Sequence, residues 1–290
     1  MPKIKIYPDS KDLIDLFGKS YPCSPDEFEN KLNINDAEIV LSSTNIEELS
    51  APLSHSKECA NIMKKLIRIE EMPIRFISES KVVFLELNEA VHAFNEEREY
   101  SQINPFVSRF DETLSYDGLP PTKNYIGYGL AETVFDLWQA GFDFKGLKGY
   151  APKYRRLFEI ERSISDKPKL REEFTPVVDM GLRSNELEIP PERLKSFAEW
   201  IYKEPKRCPS LRIGYGVYHN MVKDSKSIPE DSTMDDLNYA NYIPYVDFIS
   251  FDRRMYHYIM QTCVNEKLGH ERGIYKNLSE IFAVLEKRKE

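Results

Sequence analysis

The chain has 290 residues, 41% apolar, 12% aromatic and 30% charged, which is material for one large core or two smaller ones and excludes a miniprotein or a largely disordered chain. A formal net charge of −8 excludes a protein that coats nucleic acid through a general positive field, because such proteins carry a basic face or stripe. The start MPKIKIYPD lacks the apolar core of a signal peptide and no stretch nears the ~20 apolar residues that span a bilayer, so a soluble cytoplasmic protein is expected.

Residues 3–7 alternate and are rich in Ile, which predicts a first strand that Pro8 stops just before Asp9. DLIDLFGKS then predicts a short helix closed by Gly18. Residues 38–42, EIVLS, predict a second strand, with Thr44 as the expected N-cap of a helix through NIEELSAPL. Strand, helix, loop, strand, helix is the grammar of a parallel sheet. Helical periodicity runs through residues 54–68 and 85–97, then through LAETVFDLWQAG, YRRLFEIERSI and ERLKSFAEWIYK, separated by loops such as DGLPPTKN and GLKGYAPK. Near the C-terminus DDLNYANYIPY predicts a helix ending at Pro244, VDFISF a buried strand and DRRMYHYIMQTC a helix. Ile274 and Tyr275 open a last short strand before SEIFAVLEK. The expected organisation is a discontinuous α/β core, residues 1–55 and 225–290, with a mainly helical insertion at 56–224.

Cys23, Cys59, Cys208 and Cys263 form no CxxC pair and no zinc-ligand spacing with the histidines, so reduced thiols are expected. There is no P-loop and no signature of a Ser or Cys nucleophile.

Four segments each set an acidic residue where a strand hands over to a loop or helix: Asp9, Glu48, Asp236 and Asp252. Each has a structural reading of its own. Asp9 is a favoured N-cap, Asp236 and Asp252 suit a first helical turn, and Glu48 suits a solvated helix face. Glu47 and Asp235 are the competing neighbours, set aside because Ser42 and Leu49 frame Glu48, and because Asp236 aligns with Ala240 and Ile243. Converging, the four form an all-oxygen donor set of the kind that holds Mg²⁺ or Mn²⁺. Asp247 is excluded from the set: five extended residues place it roughly 17 Å from Asp252. Asp12, one turn beyond Asp9, is expected to be solvated.

At these segments the chain resembles the PIN-domain nucleases, the family that includes toxin ribonucleases. IYPDSK matches the first motif with Asp9 and Ser10 but has Lys11 where Asn is usual. IVLSSTNIEEL matches the second with Ser42, Glu48 and Leu49, Asp236 with Ala240 the third, and Ser250-Phe251-Asp252 the fourth. The resemblance covers the two ends only. It implies a three-layer α/β/α core with a central parallel sheet, an endoribonuclease using Mg²⁺ or Mn²⁺ on Asp9, Glu48, Asp236 and Asp252, and RNA as substrate; the helical insertion is a candidate lid, oligomer interface or docking site for an inhibitory protein partner.

Candidate substrate contacts are Ser10, Lys11, Ser250, Arg253 and Arg254, and Lys11 is also a candidate to replace one metal's charge. Lys145, Lys148, Lys153, Arg155, Arg156 and Arg162 interleave with Tyr150, Tyr154 and Phe158, a mixture that suits single-stranded nucleic acid and equally an ordinary solvated helix with its aromatics in the core. The rival readings are a PIN-like binding or scaffold protein without catalysis and a structure-specific deoxyribonuclease.

Overall fold

A computed structural model describes residues 2–18, 21–54, 58–114, 128–142, 144, 151–163 and 170–288. Strand β1 (Ile4–Tyr7) leads into helices α1 (Ser10–Phe17) and α2 (Pro25–Ile34). Strand β2 (Ala37–Ser42) is followed by α3 (Ser43–Ser50) and α4 (Cys59–Glu70), and β3 (Ile74–Ile77) by α5 (Glu79–Asn95). After β4 (Phe106–Val107) and the single-turn α6 (Asp111–Leu114) come α7 (Leu130–Gln139), α8 (Ala151–Ser163), α9 (Leu170–Ser184), α10 (Pro191–Lys203), α11 (Pro209–Lys223) and α12 (Thr233–Ala240). Strand β5 (Phe248–Ser250), α13 (Arg253–Glu266), β6 (Ile274–Tyr275) and α14 (Leu278–Lys287) complete the order.

The strands form one six-stranded sheet in the order β4-β3-β2-β1-β5-β6, parallel throughout except for the antiparallel pair β3 and β4. Successive strand side chains point to opposite faces. Ile6, Ile39, Leu41, Phe76 and Phe248 therefore enter one core with α1, α2, α3, α4, α7 and α14. Their neighbours Tyr7, Val40, Ile77 and Ile249 enter a second core with α5, α8, α11, α12 and α13. Both faces are covered, which is why β2 is buried at every position and its apolar residues Ile39, Val40 and Leu41 follow one another without alternation. The result is a three-layer α/β/α fold, with α5, α9, α10 and α11 adding a helical cluster beside it.

Four expectations change. The stretch 56–224 is mainly helical, but it also supplies β3 and β4, so it is not purely an insertion outside the sheet. The predicted loop after α1 holds α2, which starts on a capping box in which Ser24 and Glu27 exchange hydrogen bonds. The N-cap of α3 is Ser42 rather than Thr44, because the Ser42 hydroxyl accepts the Asn45 amide while the Asn45 side chain accepts the Ser42 amide. Helix α12 stops at Ala240, and Pro244 lies in a separate 3-10 turn, Ile243–Tyr245. No described helix is long and apolar enough to cross a membrane.

Candidate functional site

The chain leaves β1 toward β2 on one side and leaves β5 toward β6 on the other. The point between β1 and β5 is therefore where the winding reverses, and the crevice outside the carboxyl ends of such strands is where open α/β sheets place ligands. Asp9 and Asp252 stand there, each in the second position beyond its strand. Both are N-caps: Asp9 accepts the Lys11 amide at 3.0 Å and Asp252 accepts the Met255 amide at 2.7 Å. Asp247 lies at the opposite end of β5, where it accepts the Lys5 amide at 2.8 Å.

Glu48 and Asp236 arrive from α3 and α12. Burial raises the proton affinity of Glu48, hydrogen bonds from Ser10 and Tyr239 lower it, and the charge of Asp9 raises it again. Burial also raises Asp9, with the Lys11 amide and ammonium opposing and the charge of Asp252 reinforcing. The largest effect falls on Asp236, pushed up to about 8 by burial and then by Asp252 and Asp9, with Arg254 pulling down and Glu48 pushing up. Asp9 and Asp236 thus each lie within electrostatic reach of the other three acids, which come from separate segments.

Beneath the acids lies a layer of hydrogen-bonded groups. Ser10 is only 1% exposed; its hydroxyl shares a 2.9 Å bond with the Tyr239 hydroxyl and accepts the Asn45 side-chain amide at 2.9 Å. Tyr239 in turn donates to Glu48 at 3.2 Å. Ser250, also 1% exposed, accepts the Asp9 amide at 2.9 Å and donates to Asp12 at 2.8 Å. Ser10 and Ser250 are therefore corrected from substrate contacts to groups that position the acids. Asp12 is corrected too: it is buried on the apolar face of α1, accepts the Leu278 amide at 3.0 Å, and is pushed up to about 6, chiefly by burial. Its place beside Leu13 and Leu16 on the inner stripe of the helix was the available signal. Asn45 and Tyr239 were missed as well, although Tyr239 follows Asp236 at helical spacing.

Arg254 is not free at the surface. It lies 3.6 Å from both Asp236 and Glu230 and donates to the Ile228 carbonyl at 3.3 Å and the Thr233 hydroxyl at 3.4 Å. Arg253 and Lys11 are exposed. Of the basic and aromatic cluster, Lys145, Lys148 and Tyr150 lie outside the described residues. Phe158 is core, and Arg162 is spent on the carbonyls of Val222, Met221, Asp224 and Ser227. Arg155 donates to the Pro229 carbonyl at 3.2 Å, which ties α8 to the segment that precedes α12, and Arg156 remains exposed.

Among the described residues no group of three or more His, Cys, Asp or Glu side chains is arranged to hold a metal ion as it stands. Local partners account for this: two of the acids cap helices, a third accepts from Tyr239 and the fourth faces Arg254. The donor chemistry nevertheless fits a hard divalent cation, since every donor is a carboxylate oxygen and mutual repulsion among them is what a cation relieves. The four cysteines are unpaired thiols and lie elsewhere.

Set against family models, curated proteins and solved structures, the chain matches none of them. What the fold defines by itself is an α/β protein of three layers with an acidic crevice at the carboxyl edge of its sheet.

Proposed function

We propose that the chain is a metal-dependent endoribonuclease in which Asp9, Glu48, Asp236 and Asp252 hold Mg²⁺ or Mn²⁺. The observation that carries this reading is the mutual electrostatic coupling of four carboxylates, drawn from four distant segments, at the reversal point of a parallel sheet. The motif-by-motif resemblance to PIN-domain nucleases supports the ribonuclease class and RNA as the partner. Cytoplasmic placement belongs to the same reading and is supported by four unpaired thiols.

When bound, the cation lowers the pKa of an attacking water and offsets the charge that gathers on the phosphate. Asp9 and Asp252 bring their carboxylates to the crevice from helix caps and so hold them rigidly. Glu48 is fixed by Tyr239. An oxygen of Asp236 takes the proton from water as water attacks phosphorus. The bond from phosphorus to the 3′ oxygen breaks, that oxygen takes a proton from solvent water, Asp236 returns its proton to solvent, and a 5′ phosphate is left. Lys11 and Arg253, exposed at the rim, bind the flanking phosphates.

A second reading, a binding or scaffold protein of the same fold, is favoured by the local partner that each acid already has. Cleavage of labelled single-stranded RNA and matching DNA with Mn²⁺, Mg²⁺ or EDTA decides between them, comparing the parent with Asp9→Asn and Asp236→Asn. Metal-dependent RNA cutting that both folded variants lose is the expected result. Cutting confined to DNA reassigns the chain as a deoxyribonuclease, and no cutting of either leaves the scaffold reading.

A further inference from the structure

Arg254 combines three features that do not occur together in an ordinary surface ion pair. Its guanidinium faces the acidic crevice, with an Nη2 to Asp236 distance of 3.6 Å and an Nη1 to Glu230 distance of 3.6 Å. These are long separations, well beyond the 2.7–2.9 Å of a charge-assisted hydrogen bond. Its Nε is buried and donates to nothing. A guanidinium that fits its surroundings satisfies its donors, because an unmet buried donor costs about 1–3 kcal/mol. Arg254 is thus held by charge rather than by a closed set of hydrogen bonds. Lys11, by contrast, is exposed.

We infer that Arg254 is the resident counter-ion of the carboxylate cluster, and that it competes with a divalent cation for Asp236. This rests on the metal reading above. Without metal the guanidinium offsets repulsion among the acids. With metal it gives up Asp236 and keeps Glu230 and the Ile228 carbonyl, on the segment before α12, and Thr233, the first residue of α12. The same competition explains why the acids are not arranged around a common point: one of them is turned to a cation that the chain itself supplies.

The test is Mn²⁺ binding by titration calorimetry, together with thermal melts in EDTA, for the parent, Arg254→Met, Arg254→Lys, Asp236→Asn and the Met/Asn double variant. Arg254→Met keeps the apolar stem and removes the charge. It is expected to bind Mn²⁺ on the order of tenfold more tightly than the parent and to melt lower in EDTA, with Arg254→Lys between the two. In EDTA the loss caused by Arg254→Met is expected to shrink when Asp236 is already Asn. Equal or weaker Mn²⁺ binding by Arg254→Met overturns the inference. If no variant and no parent binds Mn²⁺, the metal reading falls, and the EDTA melts then decide the counter-ion role: a loss that is the same with Asp or Asn at 236 overturns it.

Discussion

The backbone amide of Asp9 donates to the hydroxyl of Ser250 at 2.9 Å across a sequence separation of 241 residues. The same hydroxyl donates to Asp12, which also accepts the first amide of α14. One side chain therefore locks the exit of β1, the end of β5 and the last helix together. Ser250→Ala leaves the part-buried Asp9 amide without its acceptor and takes from the buried Asp12 carboxyl one of its two donors, leaving the Leu278 amide. We expect it to cost about 1–3 kcal/mol in urea unfolding and to weaken whatever ligand Asp9 holds. A loss below ~0.5 kcal/mol would mean that water replaces the hydroxyl at no cost.

Glu86 gives a pH dependence whose sign is fixed. It is fully buried and accepts the Ser210 amide at 3.0 Å, the Leu211 amide at 3.3 Å and the Tyr245 hydroxyl. Burial raises it from 4.5 to about 7 against those hydrogen bonds. Between these two values the folded protein keeps a proton that the unfolded chain has released, so stability falls as pH rises through that window and levels off above it. Comparing denaturant unfolding at pH 5 and pH 8, we expect Glu86→Gln to lose on the order of 3 kcal/mol less than the parent. Equal losses in the two proteins assign the slope to other groups.

Arg212 and Glu266 form a largely buried pair at 3.0 Å, and Glu266 also accepts the Tyr202 hydroxyl at 2.8 Å. Glu266→Ala strands a guanidinium whose side chain is 7% exposed. The expected cost is about 3–5 kcal/mol, read as a lower urea midpoint, with Mn²⁺ binding at the distant crevice unchanged. Arg212→Met, which removes the charge that would be stranded, is expected to cost less when combined with Glu266→Leu than either change alone.

Arg156 and Arg253 test the RNA reading. Both are exposed, so Arg156→Ala and Arg253→Ala leave the fold intact. If each meets one phosphate of a single strand, each substitution weakens RNA binding in EDTA and lowers the salt slope of affinity by roughly 0.7. A slope unchanged by both would place the RNA path elsewhere.

Much of this was legible in the residues. Strands β1, β2 and β5 announce themselves as short Ile- and Val-bearing runs with acids behind them, and those acids are legible as candidates from that position alone. Strand β3 was not legible: IRFI is short, and Arg75 breaks its apolar run. Only the fold shows that Arg75 meets the buried Glu38 on β2 at 2.6 Å. Helix α11 carries two glycines, Gly214 and Gly216, and was not among the expected helices. At Gly214 the reason for glycine is packing, since a Cβ there would stand 2.5 Å from the Asn241 side-chain oxygen. The fates of Ser10, Ser250 and Arg254 were hidden for a different reason. Which hydroxyl or guanidinium turns inward depends on partners more than two hundred residues away for the serines, and for the arginine on the first turn of α12 and the loop before it.

Strand β1 has β2 on one side and β5 on the other, and β5 begins at Phe248. During synthesis the first strand is made long before its second neighbour exists. A chain still short of residue 248 holds Asp9 and Glu48 without the strand edge, the Ser250 hydroxyl or the Asp252 cap that complete the crevice. Long-range pairing of this kind is slow to form and late to reward. Whatever the crevice does is therefore withheld from any copy that stops short of Asp252.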